Sequence, residues 1–288
     1  MDKGFGCAAQ GFFMDKFIDL HMHSTRSDGS FSPKDVVMHA ASMGISTISL
    51  TDHDSIAGVA EATEAGREIG VDVVPGVELS AQVGEKDIHI LGYFIDLEQD
   101  ALKTCLKKYQ NARIERAEKI VDKLNKMGLS VQMAQVLAKA GNAAVGRPHV
   151  ADVMVEEGFV FSSNEAFYKY LGYAKPAYQP KYGMDPAEAI AVIHASGGLA
   201  SLAHPVLYAR DDLIPQFVEA GLDAIEVMHI KHDAKLVKRY SDLADQYGLL
   251  KTGGSDCHGD RRGDAVMGQV KVPVEFLDAM HAWVEKKK

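Results

Sequence analysis

Asp19-Leu20-His21-Met22-His23-Ser24, followed at once by Ser27-Asp28-Gly29, is the stretch on which the fold of this chain turns. A short apolar run ends there in two histidines one residue apart. On a strand, residues i and i+2 face the same side, so both imidazoles can close on one ion. The pattern recurs along the chain. Ile48-Ser49-Leu50 leads into Thr51-Asp52-His53-Asp54, Val73-Val74 into Gly76-Val77-Glu78, Leu202-Ala203 into His204-Pro205, and Thr252-Gly253-Gly254 into Ser255-Asp256-Cys257-His258. Ends of successive strands are where an α/β barrel gathers its reactive groups, so these distant residues are expected to meet at one site.

Between these strand ends the sequence alternates. Ser32-Pro33-Lys34-Asp35 reads as an N-cap, a proline in the first turn and an acid beside it, and the helix it opens should end near Gly44. Ile45 to Leu50 reads as a strand, Ile56 to Ile69 as a helix and Val71 to Leu79 as a strand, with Lys86 to Phe94 a candidate antiparallel partner. From about Glu98 to about Lys181 the rhythm is helical only. It begins with a long amphipathic stretch from Ala101 to Met127 and ends in an extended, proline-rich return from Lys175 to Pro180. Alternation then resumes at the capped start Asp185-Pro186-Ala187-Glu188, with strands near Leu199, Ala224 and Leu249. Barrels of roughly 250 residues form single domains, so one barrel carrying an insertion is expected, its sheet parallel with helices outside.

Composition narrows the class. Apolar residues make up 47% and charged residues 25%, ordinary for a globular protein, and no apolar run reaches the roughly 20 residues a membrane span needs. The 31 basic against 40 acidic residues give −9, which argues against holding long nucleic acid on a basic surface. Bound divalent cations would still let a phosphate substrate enter an acidic protein. Cys7, Cys105 and Cys257 are odd in number and far apart, so they form no disulfide framework, and a cytoplasmic setting is expected. The segment before Met14, which resembles a second start, is expected to be a disordered extension.

Among the 12 histidines, His39, His194 and His281 fall inside helical patterns and read as structural. His21, His23, His53, His89, His149, His204 and His258 stand instead at strand ends or beside Gly and Pro, with Asp28, Glu78 and Asp256 among them. Burying such a set together without metal would leave unpaired polar groups and repelling acids. Nitrogen and oxygen donors without thiolate favour zinc, manganese or iron, with magnesium also admitted. Asp19 and Asp52 suit either ligation or orientation of a ligand histidine. Asp54 reads as a helix cap, Cys257 as pointing away from the site, and Glu226, His229 and His232 as a weaker strand-end signal. Arg147 and Lys175, where the insertion rejoins the barrel, are candidates for anion capture.

Taken together, His21-x-His23-Ser24, Ser27-Asp28-Gly29, Thr51-Asp52-His53-Asp54, Gly76-Val77-Glu78, His89-Ile90-Leu91-Gly92-Tyr93, Gly146-Arg147-Pro148-His149, Ala203-His204-Pro205 and Gly254-Ser255-Asp256-x-His258 resemble the motif series of the PHP (polymerase and histidinol phosphatase) metallophosphoesterases. The likeness spans about Phe17 to Val270 and is strongest to the branch of 3',5'-nucleoside bisphosphate phosphatases that also trim short RNA from the 5' end. It implies an α/β fold: a distorted (β/α)7 TIM-like barrel with a helical insertion. The barrel would comprise residues 15–97 and 182–288, and residues 98–181 would form a substrate-binding cap. The resemblance further implies three divalent ions. His21, His23, Glu78 and Asp256 would hold one, Glu78 would bridge to a second held by His89 and His149, and Asp28, His53 and His258 would hold a third. His204 would face substrate or complete a metal shell. One departure is that Val206-Leu207 follows Ala-His-Pro where many relatives have Gly-Arg.

The expected chemistry is hydrolysis of a small phosphorylated substrate, a nucleotide or short oligonucleotide. Clustered ions would neutralise the phosphate oxygens and acidify a water. Arg147 and Lys175 would hold phosphate, and His204 or Asp52 would protonate the leaving oxygen. Histidinol-phosphate phosphatase and cyclic-phosphate phosphodiesterase activities are the alternatives within the superfamily. A C–N hydrolase and a non-catalytic metal-stabilised module lie further off.

Overall fold

The computed structural model describes residues 17–84, 86–141, 144–260 and 266–287. The expectations for residues 1–14, with Cys7 and Met14, lie outside the described residues. Strand β1 (Phe17–Met22) leads through α1 (Pro33–Ser42) to β2 (Ile45–Leu50), and through α2 (Val59–Ile69) to β3 (Asp72–Val83) and β4 (Lys86–Tyr93). Then follow α3 (Asp100–Lys126), α4 (Met133–Ala140), α5 (Arg147–Glu156) and α6 (Ser163–Ala166), the last continued by a π-helical turn over Phe167–Leu171. The remainder is α7 (Pro186–Ala195), β5 (Leu199–Leu202), α8 (Ile214–Glu219), β6 (Ala224–His229), α9 (Ala234–Tyr247), β7 (Leu250–Gly254), β8 (Val272–Pro273) and α10 (Val274–Lys287).

The caps read from sequence are in place at α1, where the Ser32 side chain accepts from Asp35 N–H, and at α7, where Asp185 accepts from Ala187 N–H. Asp54 is no cap. Helix α2 starts later, behind Gly58, and Asp54 turns elsewhere.

The strands form one sheet in the order β7-β6-β5-β4-β3-β2-β1-β8. It is nearly closed into a barrel. Past the end of β7, Cys257 bridges Met22 in parallel, Asp256 N–H donates to His21 C=O at 2.9 Å, and His23 N–H donates to Cys257 C=O at 2.9 Å. A Cβ on Gly254 would lie 2.4 Å from the His21 backbone nitrogen, so only glycine lets the last long strand come this close to the first.

The sheet is not wholly parallel, as the β/α alternation suggested. Strand β4 runs antiparallel to both β3 and β5, because a tight turn rather than a helix joins it to β3, and β8 runs antiparallel to β1. This arrangement also explains why Glu78 sits inside a strand rather than at its end. Strand β2 pairs with β3 only as far as Leu50 opposite Pro75, which marks the barrel rim. Beyond it, β3 and β4 continue as a hairpin that carries Glu78 and His89 above the rim.

Helix α3 joins two separate apolar clusters. Its first half packs Leu102, Cys105, Leu106 and Tyr109 against the barrel-side core. Its second half packs Ala117, Ile120, Val121 and Leu124 into a cluster made with Val136, Val150, Met154 and Leu171. Arg113 and Arg116 fall between the two, three residues apart and so on one helix face. No described helix is long and apolar enough to cross a membrane.

Candidate metal centre

Eight side chains converge above the barrel rim around one carboxylate. Glu78 is fully buried, and its Oε2 lies 3.4 Å from His21 Nε2, 3.2 Å from His23 Nε2 and 3.0 Å from His53 Nδ1. Its Oε1 lies 2.7 Å from His89 Nδ1 and 3.0 Å from His204 Nε2. Asp256 Oδ1 stands 3.2 Å from His23 Nε2 and 3.6 Å from His21 Nε2. Asp28 Oδ1 stands 3.1 Å from His258 Nε2 and 3.9 Å from His53 Nε2. The backbone bends sharply to aim these groups. Asp256 and His204 both have positive φ, 54° and 26°, uncommon for residues with a side chain.

The residues fit divalent cations. His21 Nε2, His23 Nε2, His89 Nε2 and Glu78 Oε2 are buried without a hydrogen-bond partner, where orphaned polar atoms are costly. Four overlapping sets have donor atoms close enough to share an ion: His23 with Asp28, His53 and His258; His21 with His23 and Asp256; His21 with Glu78 and His204; and His53 with Glu78 and His89. The donors are imidazole nitrogens and carboxylate oxygens, a set suited to zinc, manganese or iron.

Electrostatics makes the same demand for positive charge. Burial would push Glu78 up, yet the imidazoles of His53, His89 and His21 around it hold its carboxyl well below 4.5. Burial would lower His23, but Asp256 and Glu78 outweigh it and raise that imidazole to about 9. His53, where burial dominates over Glu78 and Asp28, falls to about 4.

His149 is placed differently from the implied ligand set. It is nine-tenths buried on the wall of the same cleft, but its Nδ1 accepts from Gly146 N–H at 3.0 Å and it stands outside the four ion-sized groups. Asp52 lies behind the cluster. Its carboxylate accepts from Ser24 N–H at 2.7 Å, Ser24 O–H at 2.7 Å and Ser27 O–H at 2.6 Å, so it fixes the loop after β1 rather than facing the cleft. Asp19 likewise accepts from Ser255 N–H at 2.9 Å, and burial raises its carboxyl to about 6.

The cleft above the cluster has a volume of about 530 Å³ and two unlike walls. Asp28, His53, His89, His204 and Asp256 form the barrel side, while Arg113, Arg116, Arg147 and Lys181 line it from the helical side. Arg147 is where the sequence placed it, stacked between the rings of Phe167 and Tyr178 at 5.4 and 5.9 Å. Lys175 is not in the cleft wall. Turns at Gly172–Lys175 and Lys175–Tyr178 replace the expected extended return and lay its ammonium over the Tyr168 ring at 4.8 Å. Arg113, Arg116 and Lys181 were missed, since only the i,i+3 spacing on α3 hinted at the first two. Lys181 pairs with Asp87 at 3.2 Å and Arg113 with Asp54. Arg116 and Arg147 have no carboxylate partner among the described residues. Burial and the nearby guanidinium of Arg147 lower Arg116 to about 10.

Comparison with known proteins gives the same picture. Residues 19–134 match the PHP domain. The chain is 36% identical over 252 residues to a 5'-3' exoribonuclease of Haemophilus influenzae, covering 85% of this chain and 91% of that one. It is 33% identical over 260 residues to the 3',5'-nucleoside bisphosphate phosphatase of Chromobacterium violaceum, covering 88% and 91%. To the phosphoribosyl 1,2-cyclic phosphate 1,2-diphosphodiesterase of Eggerthella lenta it is 34% identical, covering 84% and 94%. Among solved structures, a Bifidobacterium adolescentis protein assigned as a metal-dependent phosphoesterase superposes with a TM-score of 0.83 at 26% identity, covering 93% of this chain and 96% of that one.

Proposed function

Because this chain belongs to the PHP family and is a metal-dependent phosphoesterase, we propose that it removes the 3'-phosphate of a 3',5'-nucleoside bisphosphate, leaving the nucleoside 5'-monophosphate. Short RNA carrying a 5'-phosphate presents the same pair of groups and is the second substrate this reading admits, as the exoribonuclease relative supports. The observation that carries the reading is the cleft's two walls. A cluster of metal-type donors faces a pair of guanidiniums, Arg116 and Arg147, that lack an acidic partner among the described residues. A substrate with two separated anionic groups satisfies both walls at once, and the cleft volume lies in the range of nucleotide-sized ligands.

In this reading His21, His23, Glu78 and Asp256 would hold one ion, His53, Asp28 and His258 a second, and His89 and Glu78 a third. Such ions supply neutralisation of the phosphate oxygens and acidification of a water. The chain's own side chains do the rest. Arg116, Arg147 and Lys181 seize the phosphate that is retained, with charge-assisted hydrogen bonds that fix the substrate's direction in the cleft. His149, beside Arg147 on the same helix start, adds to that wall. His204 is placed to give a proton to the leaving oxygen. Its Nδ1 meets Tyr208 O–H at 2.8 Å, while its Nε2 faces the cluster. Residues 98–181 act as the substrate-binding cap.

Parallel steady-state assays on adenosine 3',5'-bisphosphate, adenosine 5'-monophosphate, histidinol phosphate and a ribose cyclic phosphate, each with manganese, test the reading. The bisphosphate is expected to give the highest kcat/KM, with the 3'-phosphate released. A preference for the cyclic ester, whose hydrolase is also a relative, overturns it.

A further inference from the structure

Strand β6 carries a carboxylate to which no role has yet been given. Glu226 is fully buried, and its two oxygens are spent on two different cluster residues. Oε1 lies 3.0 Å from His21 Nδ1, and Oε2 accepts from the backbone N–H of His204 at 2.7 Å.

The strand is irregular at this point. Its register with β7 slips between Glu226, opposite Thr252, and Met228, opposite Gly253. In a regular strand, residues three apart face opposite sides, whereas such an irregularity re-aims the side chains that follow it. Here both Glu226 and His229 reach the cluster. His229 Nδ1 accepts from Lys231 N–H at 3.1 Å, which leaves the proton of the neutral ring on Nε2, and that atom lies 3.5 Å from Asp256 Oδ2. One strand thus touches His21, His204 and Asp256, residues that reach the cluster from three other parts of the chain.

We propose that Glu226 is a positioning residue of the metal centre: by accepting the Nδ1 proton of His21 it fixes the imidazole with its Nε2 lone pair toward Glu78 and Asp256, while its other oxygen anchors the backbone of His204. The proposal rests on the metal-binding reading of the cluster. A histidine held in this way binds metal in one tautomer and one orientation, and loss of such an orienting carboxylate typically weakens metal binding by about 10–100-fold. His229 assists by facing the free oxygen of Asp256.

The test uses the full chain and two readouts that do not depend on turnover. Manganese affinity and stoichiometry are measured by competition with a fluorescent chelator for wild type, Glu226→Gln and Glu226→Ala. Long-range nitrogen–proton correlation on the zinc-loaded wild type, assigned with His21→Gln, reports which His21 nitrogen carries the proton. Expected are a loss of about 10–100-fold in the affinity of at least one manganese in Glu226→Ala, a smaller loss in Glu226→Gln, and the His21 proton on Nδ1. Unchanged affinity in a folded Glu226→Ala, or a proton on Nε2, overturns the proposal. Should Glu226→Ala not fold, Glu226→Gln and the wild-type tautomer still decide. Wild-type protein that binds no manganese at all refutes the metal-centre reading itself, and the assignment to Glu226 falls with it.

Discussion

The buried Asp54 and the half-buried Arg113 form an ion pair that ties the barrel rim to the middle of α3. The Arg113 Nε donates to Asp54 Oδ2 at 3.1 Å, and the same carboxylate accepts from Ser80 N–H at 2.8 Å and Ser80 O–H at 2.9 Å. Asp54 N–H in turn donates to the Glu78 carbonyl at 2.9 Å. The helical segment is therefore bolted to the residues that flank His53 and Glu78.

Breaking this pair by Arg113→Ala leaves a carboxylate uncompensated in the interior. A destabilisation of about 3–5 kcal/mol is expected, read from denaturant unfolding of the metal-free protein. A change below about 0.5 kcal/mol would mean the pair is ornamental.

The same pair sets an acid limit. Burial would raise Asp54, but Arg113 and Ser80 outweigh it and hold its carboxyl below the ordinary 3.8. Because the folded value lies under the unfolded one, the stabilisation is complete above 3.8 and drains away as pH falls through the folded value. Asp54→Asn should lower Tm at neutral pH, and the gap to wild type should shrink on acidification. A gap that is constant from neutral to acid pH contradicts the assignment.

His21→Ala and Asp256→Asn are each expected to reduce phosphoesterase kcat/KM by at least about 10²-fold, the scale of losing one strong electrostatic contact to the transition state, with circular dichroism unchanged. Near-normal turnover of either variant with excess manganese would remove it from the site.

Chelator treatment should abolish turnover, with manganese restoring it, and should also lower Tm. An ion present at 100 times its dissociation constant stabilises the folded chain by about 2.7 kcal/mol, so both signals should titrate together.

Arg147→Ala should cost about 10–100-fold in kcat/KM on a 3',5'-bisphosphate, the worth of a charged hydrogen bond, and much less on a 3'-monophosphate. Lys175→Ala should leave both values unchanged, because its ammonium rests on Tyr168. The reverse ranking would place the second anion at the other end of the loop.

The cluster was legible because its residues carry local signals: two histidines at i and i+2 on β1, and acids or imidazoles just past a β-branched run. What escaped was long-range. Arg116 lies 63 residues from Gln179, whose carbonyl its Nε meets, and no local pattern reports such a meeting. Asp54 was misread because an acid two residues before Ile56 suits a cap, whereas a partner on α3 claims it. Lys175 was misplaced because prolines suggest extended chain, whereas Pro176 sits in the turn that Tyr178 N–H closes on the Lys175 carbonyl. Glu226 and His229 read as a weak signal because the register slip that lets both reach the cluster from one strand is invisible in the sequence. The fold was read well where strands end in motifs and at β4, whose antiparallel pairing with β3 follows from the short turn between them, and poorly where β4 meets β5 and β8 meets β1, the other two antiparallel pairings.

The closure of the barrel through Gly254 has a consequence for how the protein folds. Ser255 and Asp19, which meet across it, stand 236 positions apart in the sequence, so the contacts of Asp256 with His21 and His23 form no earlier than that long loop closes. Pairing of this kind is slow, and this half of the cluster comes together by tertiary closure rather than within any local segment.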